Sequence, residues 1–422
     1  MTRTSAMAMA IFAAALAACG PQTDAPNDGP RSVVETIGDT TIVRTLSGSV
    51  WRAEATLVPE LPIGEVDGPE EYLFGQIASI AVDNDRNVYV LDDQAQNVRI
   101  FDQEGTHVET LGGPGEGPGE FAMADAVAVL PDGRITVRDP IRMRIHVFGP
   151  ETGDIDQWEY STLGAPIGLK TLYVDRNGQT LLITQNPEHR HAKPYWHTIV
   201  FGPDGTQLDT IPEPWIGYER PLLTAQREIE GGGTASVNEG VPFTPDFYWT
   251  IHPTGHLLTG FSADYRIELA HDDGVLRIER DIEPVPVAAA ERDYERERIL
   301  RRMRSLVSDW DWDGPPIPEH KPFFTDLYAG RDGRIWVQVS TEGREIRNED
   351  HDPDNPRSQA VVWEEAMRFD VFEEDGTYLG VVAAPDEFDG YVEPVFDRDH
   401  VWWVTRDELG VQRVARYAIR LN

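Results

Sequence analysis

A tight turn followed by alternating apolar residues recurs six times along this chain of 422 residues, and this repeat constrains the fold more than any other feature. Two copies, "AVDNDRNVYVLDD" (81–93) and "AVLPDGRITVRDP" (128–140), carry Asp92 and Asp139 at matching places. Asp-Gly and related pairs supply the positive φ that a tight hairpin needs. Each copy therefore predicts two antiparallel strands. The other copies lie at 175–184, 252–261, 330–339 and 397–405.

A second set of turns follows most copies of the repeat, between β-branched or aromatic runs, at 102–106, 150–154, 203–207, 271–275 and 373–377. Each pair of turns implies a four-stranded antiparallel unit. The sixth unit lacks its second turn, while "TTIVRTLSGSVW" (40–51) has no hairpin partner. Joining the two would remove two unpaired sheet edges. The sequence therefore predicts an all-β, six-bladed β-propeller whose N-terminal strand closes the last blade.

Two stretches of the chain resemble known propeller sequences. "FGQIASIAVDNDRNVYVLDDQAQNVRIFDQEGTHVETLG" (74–112) resembles an NHL-type repeat, and "GGPGEGPGEF" (112–121) is similar to the connector between such blades. As a whole, the chain resembles the lipid-anchored six-bladed propeller proteins of bacterial envelopes. "KPFFTDLYAGRDGRIWV" (321–337) is another stretch of this kind. This resemblance implies a propeller that lies outside the cytoplasm.

The glycine-rich string "LGGPGEGPGEFA" (111–122) could also be a phosphate-binding loop. Such a loop offers backbone N–H groups and a lysine at a helix N-terminus. Pro114 and Pro118 remove two of those N–H groups, Glu116 and Glu120 would repel an anion, and no lysine follows. We therefore interpret the string as a corner between two blades.

The N-terminus has the pattern of an export signal: residues 1–18 contain one charge, Arg3, and an alanine-rich apolar run. The ending Leu16-Ala17-Ala18-Cys19 resembles the lipobox of bacterial lipoproteins, in which the cysteine receives a lipid. An uncleaved anchor is the alternative, although a membrane-spanning helix needs about 20 apolar residues. Gly20 follows the cysteine, and by resemblance to the sorting rule of two-membrane bacteria this favours the outer membrane.

These features divide the chain into three parts. Residues 1–18 are predicted to be a lipoprotein signal peptide, residues 19–31 a flexible tether rich in proline and glycine, and residues 32–422 the propeller. The predicted location is the bacterial cell envelope, with the protein anchored by lipid on Cys19. The chain carries 73 acidic against 37 basic residues, a formal net charge of −36, which repels nucleic acids.

Loop lengths differ between the two faces of the predicted propeller. The tight glycine turns all fall on one face, whereas the long segments 185–197, 212–240, 281–322 and 340–361 fall on the other. Long loops on one face of a rigid scaffold are the usual place for a binding site. We call this the long-loop face, and it is where we expect a partner to bind.

One helix is predicted inside these long segments, at about 285–308. Ile299, Met303 and Leu306 recur with helical spacing and form its apolar face. Arginines cover its remaining surface, and a basic partner-binding helix or an ordinary packed helix would both explain them. The candidate partner-binding residues are Arg296, Arg301 and Arg304, together with His189 and His191 of the neighbouring long loop "EHRHAKPYWH" (188–197).

Two sets of carboxylates are candidate metal ligands. Asp309, Asp311 and Asp313 match the opening of a calcium loop, but His320 stands where the closing glutamate belongs. The alternative is a turn whose tryptophans pack on the propeller. The second set precedes the first turns of four blades and could ring the channel mouth. Its members are Asp125, Asp246, Asp326 and Glu393.

Two functions stay open at this point. The first is an envelope lipoprotein that binds a protein, peptide or glycan through its long-loop face without catalysis. The second is a metal-dependent hydrolase or lyase similar to six-bladed lactonases, with Ca²⁺ or another divalent cation at the channel mouth. The sequence has no G-x-S-x-G elbow, H-E-x-x-H helix or cysteine nucleophile, which favours the first function.

Overall fold

The protein is a six-bladed β-propeller. A computed structural model describes residues 29–149, 155–161, 171–186, 195–348, 351–352, 358–385, 388 and 390–422. In each blade the chain runs from an innermost strand outward, and innermost strands of neighbouring blades contact one another around a central channel. Cys19, His189 and His191 lie outside the described residues.

Blades 1 to 3 each contain four antiparallel strands in chain order. From the centre outward they are Ile77–Val82, Val88–Asp92, Asn97–Phe101 and His107–Gly112 in blade 1; Ala126–Val129, Ile135–Asp139, Arg144–Phe148 and Ile155–Glu159 in blade 2; and Leu172–Val174, Thr180–Gln185, Trp196–Phe201 and Gln207–Pro212 in blade 3.

Blades 4 to 6 carry the insertions. Their strands are Phe247–Ile251, Leu257–Phe261, Arg266–His271 and Gly274–Arg280 in blade 4; Phe324–Ala329, Ile335–Val339, Arg368–Phe372 and Tyr378–Ala383 in blade 5; and Val395–Phe396, His400–Arg406, Gln412–Leu421 and Ala55–Ile63 in blade 6. The additional elements are the hairpins Arg31–Ile37/Thr40–Ser47, Leu222–Glu228/Thr234–Gly240 and Gly343–Arg347/Val361–Glu365, the helix Ala289–Arg304 and the 3₁₀ turn Glu70–Tyr72.

Burial decreases from the centre of a blade to its rim. Every residue of Ile77–Val82 and Val88–Asp92 is buried, because the neighbouring blades cover both faces of these inner strands. The outer strand His107–Gly112 alternates between half-buried and exposed residues. Positive φ at the turns is supplied by glycine, as at Gly205 (φ 79°), where a Cβ would also collide with Trp158.

The strand that closes the ring is Ala55–Ile63, not 40–51 as the sequence analysis expected. Ala55–Ile63 pairs antiparallel with Gln412–Leu421 and becomes the outermost strand of blade 6. Thr40–Ser47 instead runs parallel to Gly274–Arg280 and extends blade 4 at its edge, where Ile42 and Val43 are buried. The expected type of closure is confirmed, but the segment is different.

Two prolines explain why the closing strand was missed. Pro59 and Pro62 interrupt the strand pattern of 55–63, and proline cannot donate a hydrogen bond to a sheet ladder. An outermost strand tolerates proline because one of its edges has no partner over most of its length. The ladder adapts with a register shift between Pro59 and Leu61.

The glycine-rich string is the predicted corner between blades 1 and 2. Pro114 and Phe121 form an isolated bridge, and the amide of Phe121 donates to the carbonyl of Gly113 at 2.8 Å. The buried ring of Phe121 packs against Gly112, where any Cβ would lie 2.3 Å from it.

Within the described ranges, no helix combines the length and the apolar character required to cross a bilayer.

The two faces of the closing strand give a matched test of ring closure. Leu57 is buried against blade 6, whereas its neighbour Val58 is 41% exposed. We expect Leu57→Ala to lower the free energy of unfolding by about 2–5 kcal/mol and Val58→Ala to change it by less than about 0.5 kcal/mol. Urea unfolding measures both. Equal, small effects would mean that 55–63 is not a core strand.

Candidate functional site

A cavity of about 670 Å³ occupies the central channel. It opens on the face of the first turns, where the first and second strands of each blade connect, because several of those turns form its rim. All six blades contribute to its lining, through 79–85, 127–133, 171–176, 251–253, Ala329, Arg331 and 393–396. This opening lies on the face opposite the long-loop face.

Equivalent positions of the six innermost strands can be defined by one hydrogen bond. At the start of each first turn, the backbone amide of one residue donates a hydrogen bond to the carbonyl three or four residues later. The residues whose amides donate are Asp83, Leu130, Asp175, His252, Gly330 and Asp397. The residues four positions before these donors in the sequence form a set that we call the inner ring: Ser79, Ala126, Thr171, Tyr248, Asp326 and Glu393. The residues two positions after each inner-ring residue form the second ring: Ala81, Ala128, Tyr173, Thr250, Tyr328 and Val395.

The two rings are asymmetric. Blades 1 and 2 contribute only serine or alanine, whereas blades 3 to 6 contribute tyrosines, threonines and carboxylic acids, apart from Val395 of blade 6. Ser79, Ala81 and Ala128 line the cavity, whereas Ala126 is packed between blades 2 and 3. The larger polar residues concentrate on one side, where Thr171, Tyr173 and Glu393 line the cavity. Thr250, Asp326 and Tyr328 do not line it but interact with these residues, and we call the six together the polar floor.

Glu393 is the centre of the polar floor. The hydroxyl of Thr171 donates to Glu393 Oε2 at 2.7 Å, and the Tyr173 hydroxyl lies 3.5 Å from the same oxygen. Thr250 in turn donates to the Tyr173 oxygen at 3.2 Å. Glu393 lines the cavity and keeps part of its surface accessible there, although protein surrounds it on its other sides.

A second carboxyl, Asp326, lies close enough to Glu393 for the two charges to interact. Tyr328 donates to Asp326 Oδ2 at 2.9 Å, and the amide of Leu327 donates to Oδ1 at 2.8 Å. Within the part of the chain that the structure describes, no lysine or arginine forms an ion pair with either carboxyl. The polar floor therefore carries acid groups without a compensating cation.

Burial determines the protonation of these groups. It raises the pKa of Glu393 to about 7, and the nearby charge of Asp326 acts in the same direction, while hydrogen bonds from Thr171 and Tyr173 oppose it. Burial also raises the pKa of Asp326 and raises the pKa of Tyr173 and Tyr328 well above the usual tyrosine range. The two phenols therefore stay neutral near physiological pH, whereas Glu393 titrates there.

The mouth of the cavity contains arginines that are already paired. Arg331 contacts Asp397 at 3.2 Å and also donates to Asn84 at 2.9 Å, so it connects blade 5 with blades 6 and 1. Arg176 pairs with Glu374 at 2.6 Å. The acids Asp83, Asp85, Asp132 and Asp175 also line the mouth.

The four predicted channel ligands do not occupy equivalent positions. Asp326 and Glu393 belong to the inner ring, but Asp125 precedes its blade's ring position by one residue and Asp246 precedes it by two. Successive side chains of a strand point to opposite faces, and Asp125 forms a bidentate ion pair with the buried Arg138, at 2.7 Å for Nε to Oδ1. Asp246 lies 3.7 Å from Arg220. The structure thus brings together two of the four.

The calcium-like loop lies on the surface. Asp309, Asp311 and Asp313 are exposed, and Asp311 Oδ1 accepts a hydrogen bond from the amide of Trp312. Trp310 is buried, but it packs on the helix Ala289–Arg304 and the hairpin Leu222–Glu228/Thr234–Gly240 rather than on a blade of the propeller. Among all described residues, no group of three His, Cys, Asp or Glu side chains has an arrangement that could hold a metal ion. Metal binding by either set stays a prediction without structural support.

The predicted helix is confirmed as Ala289–Arg304, and its buried residues include Ile299 and Met303. It shares a core with the hairpin 222–240 and with Trp310, whose indole donates to the Thr224 carbonyl at 3.0 Å. The candidate arginines contact this same module: Arg296 stacks on Trp312, Arg301 pairs with Glu297, and Arg304 donates to the Trp310 carbonyl. Their role toward a partner stays a prediction.

A second cavity, of about 390 Å³, lies between this module and the hairpin of blade 5. Beside it, the buried Lys321 contacts Glu291 at 2.7 Å and Glu365 at 2.9 Å. Its ammonium also lies 5.1 Å from the ring centre of Phe243. These contacts hold the long-loop insertions together. Lys321, Glu291 and Glu365 each form an ion pair within this group.

Sequence reasoning missed Thr171, Tyr173 and Tyr328. The signal was present, because "TLYVDRNG" (171–178) and "DLYAGRDG" (326–333) align without a gap and place Tyr173 opposite Tyr328. The same alignment places Thr171 opposite Asp326. Counting back from a common turn residue, rather than forward to strand starts, would have found the inner ring.

Comparisons with known proteins agree with the fold. A family model described as a 6-bladed beta-propeller, DUF5128, matches residues 66–155, which is about a fifth of the chain. A search of curated proteins found no match.

Similar solved structures include a member of the DUF4221 family from Bacteroides vulgatus (9% identity, 88% of this chain and 99% of that chain, TM-score 0.48). Others are virginiamycin B lyase from Staphylococcus aureus (12%, 81% and 95%, 0.37) and a gluconolactonase from Xanthomonas campestris (12%, 86% and 97%, 0.38). At this level of similarity, none of them informs on the activity of this chain.

The titration of Glu393 predicts how stability depends on pH. Its pKa is about 7 in the folded protein against an ordinary value of 4.5, so the folded state retains a proton that the unfolded chain releases. This contribution is complete below pH 4.5 and is lost as the pH rises to about 7, by up to about 3 kcal/mol. Glu393→Gln should abolish this loss.

Urea unfolding of wild type and variant at about pH 4.5 and about pH 7.5 measures the difference. Glu408→Gln, a matched change at an exposed residue of the same blade, is the control and should follow the wild type. Parallel pH profiles for wild type and Glu393→Gln would contradict the assignment.

Proposed function

We propose that the protein is a non-catalytic binding propeller of the bacterial cell envelope, and that it holds a small ligand in the central cavity. The observation that carries this proposal is the cavity of about 670 Å³, with aliphatic walls and a polar floor centred on Glu393. Small-molecule sites are typically concave, about 300–1,000 Å³ in volume, and largely apolar with a few convergent polar groups.

The lactonase-like alternative receives less support. A channel-bound divalent ion needs several oxygen ligands directed at one point. Of the four proposed ligands, Asp125 is engaged by Arg138, and Asp246 lies two residues from the equivalent ring position. The remaining pair, Asp326 and Glu393, offers two carboxyls, of which Glu393 is only partly ionised at neutral pH.

A second candidate function is a protein, peptide or glycan partner on the long-loop face. Four exposed apolar residues of the segment 212–240 favour it: Trp215, Ile216, Leu222 and Ile229. Clusters of exposed apolar side chains often mark interaction surfaces. This surface and the central cavity lie on opposite faces, so one experiment can distinguish the two functions.

That experiment is a small-molecule library screened by thermal shift, since a ligand that binds only the folded protein stabilises it. Val129→Trp and Val174→Trp each add bulk to the cavity wall from a different blade. We expect both to abolish the shifts that hits give with the wild type. Leu222→Trp, on the long-loop face, should preserve them. Thermal shifts that persist in both cavity variants and disappear in Leu222→Trp would indicate that the ligands bind on the long-loop face instead.

For the cellular location, we propose lipidation of Cys19 and anchoring in the outer membrane, with repeats of the NHL type forming the anchored domain. The support is the lipobox-like "LAAC" ending and the residue that follows it. We expect palmitate labelling of the protein in a bacterial host, and loss of the label in Cys19→Ser. Equal labelling of both forms, or no label in either, would refute lipidation at this residue.

A further inference from the structure

We infer that the ligand of the central cavity is a small organic cation, a primary amine with an apolar body, whose ammonium group binds at Glu393. This inference rests on the proposed function, because it names the chemical class of the ligand for the same site. It follows from the charges, the hydrogen-bonding capacity and the shape of the cavity.

The charge of the cavity favours a cation. Of the charged residues that line it, five are carboxylic acids and two are arginines, and Arg176 and Arg331 are each paired with an acid outside the polar floor. His252 also lines it, but burial lowers the pKa of this histidine, which keeps it neutral. The charge of Asp326 adds to the negative potential at Glu393. The negative potential of the cavity therefore attracts a cation and repels an anion.

The hydrogen-bonding groups at the polar floor fit an ammonium group. An ammonium has three donors and no acceptor. The Thr171 and Tyr173 hydroxyls both lie within 3.5 Å of Glu393 Oε2, so the carboxylate and the two hydroxyls offer three sets of acceptor lone pairs. The two hydroxyls can keep donating to Glu393 while their oxygens accept from the ligand.

The walls between floor and mouth are apolar, which indicates an apolar body for the ligand. Val129, Val174 and Val395 line the cavity from three different blades and are only half-buried. A simple metal ion would leave these walls uncovered, whereas an aromatic or alkyl amine would bury them.

Ionisation of Glu393 should couple amine binding to pH. The groups that face Glu393 are Thr171 and Tyr173 from blade 3 and Asp326 and Tyr328 from blade 5. Burial holds the pKa of Glu393 near 7, so the carboxyl is mostly protonated at pH 6 and mostly ionised at pH 8. A bound ammonium would stabilise the ionised form, and binding should release a proton.

The test uses three probes of nearly the same shape: benzylamine, benzyl alcohol and benzoate. Calorimetry and ligand-observed NMR at about pH 8 should show that the full-length protein binds benzylamine at least about tenfold more tightly than the other two. Affinity for benzylamine should increase between pH 6 and pH 8, while that for benzyl alcohol stays constant. Glu393→Gln should weaken benzylamine binding by about thirtyfold or more, and Glu408→Gln should leave it unchanged.

The outcomes separate the two proposals. Equal binding of benzylamine and benzyl alcohol, or no detectable benzylamine binding at millimolar concentration, overturns the cation inference. If a neutral or anionic probe binds instead and Val129→Trp and Val174→Trp abolish that binding, the central cavity remains the site. If binding of every probe persists in both cavity variants, the proposed function itself fails.

Discussion

The pairing of Ala55–Ile63 with Gln412–Leu421 is the contact on which the rest of the structure depends. A propeller is a ring of sheets, and its first and last blades must be held together for the channel to be enclosed. Here one chain end supplies three strands of blade 6 and the other end supplies the fourth. The closing strand places Leu57 in the core of blade 6 and Ile63 in the core shared with blade 1.

The N-terminal segment does more than close the ring. Thr40–Ser47 lies along the edge of blade 4, the amides of Val50 and Trp51 bond to blade 5, and Ala55–Ile63 completes blade 6. It therefore covers the outer edges of three consecutive blades. Blades 4 and 5 are also joined by a buried cluster in which Arg280, Tyr265 and Tyr378 all contact Asp370. These contacts make a closed, rigid frame for the channel.

Within this frame, the chemistry of the channel comes from departures from sixfold symmetry. Each blade presents an equivalent residue at the inner ring, but only blades 4 to 6 present bulky or acidic ones, and blade 3 presents a threonine. Blades 1 and 2 contribute the small residues Ser79 and Ala126. The same backbone repeat thus builds both the walls of a cavity and a polar floor. The enclosure that the repeat provides is also what raises the pKa of Glu393.

The sequence was sufficient to predict the blades, because the turn glycines and alternating strands are local signals with a fixed repeat. It also predicted the helix from the spacing of Ile299 and Met303, and it placed Asp326 and Glu393 at the channel, although their predicted role as metal ligands is untested. It failed where the outcome depends on distant pairing. The sequence analysis assigned 40–51 to the edge of blade 6, whereas 55–63 lies there. Pro59 and Pro62 weaken the strand pattern of 55–63 in the sequence. Asp125 was misplaced by a single residue, which in a strand is enough to turn its side chain from the channel toward Arg138.

Hydrogen exchange measured by mass spectrometry tests ring closure most directly, because amides in core strands open only at a large free-energy cost. The structure predicts that peptides from 55–63 exchange nearly as slowly as peptides from 412–421. Peptides from 31–37, an exposed edge strand, should exchange much faster. Fast exchange over 55–63 together with strong protection over 31–37 would contradict the closure described here, and with it the enclosed cavity.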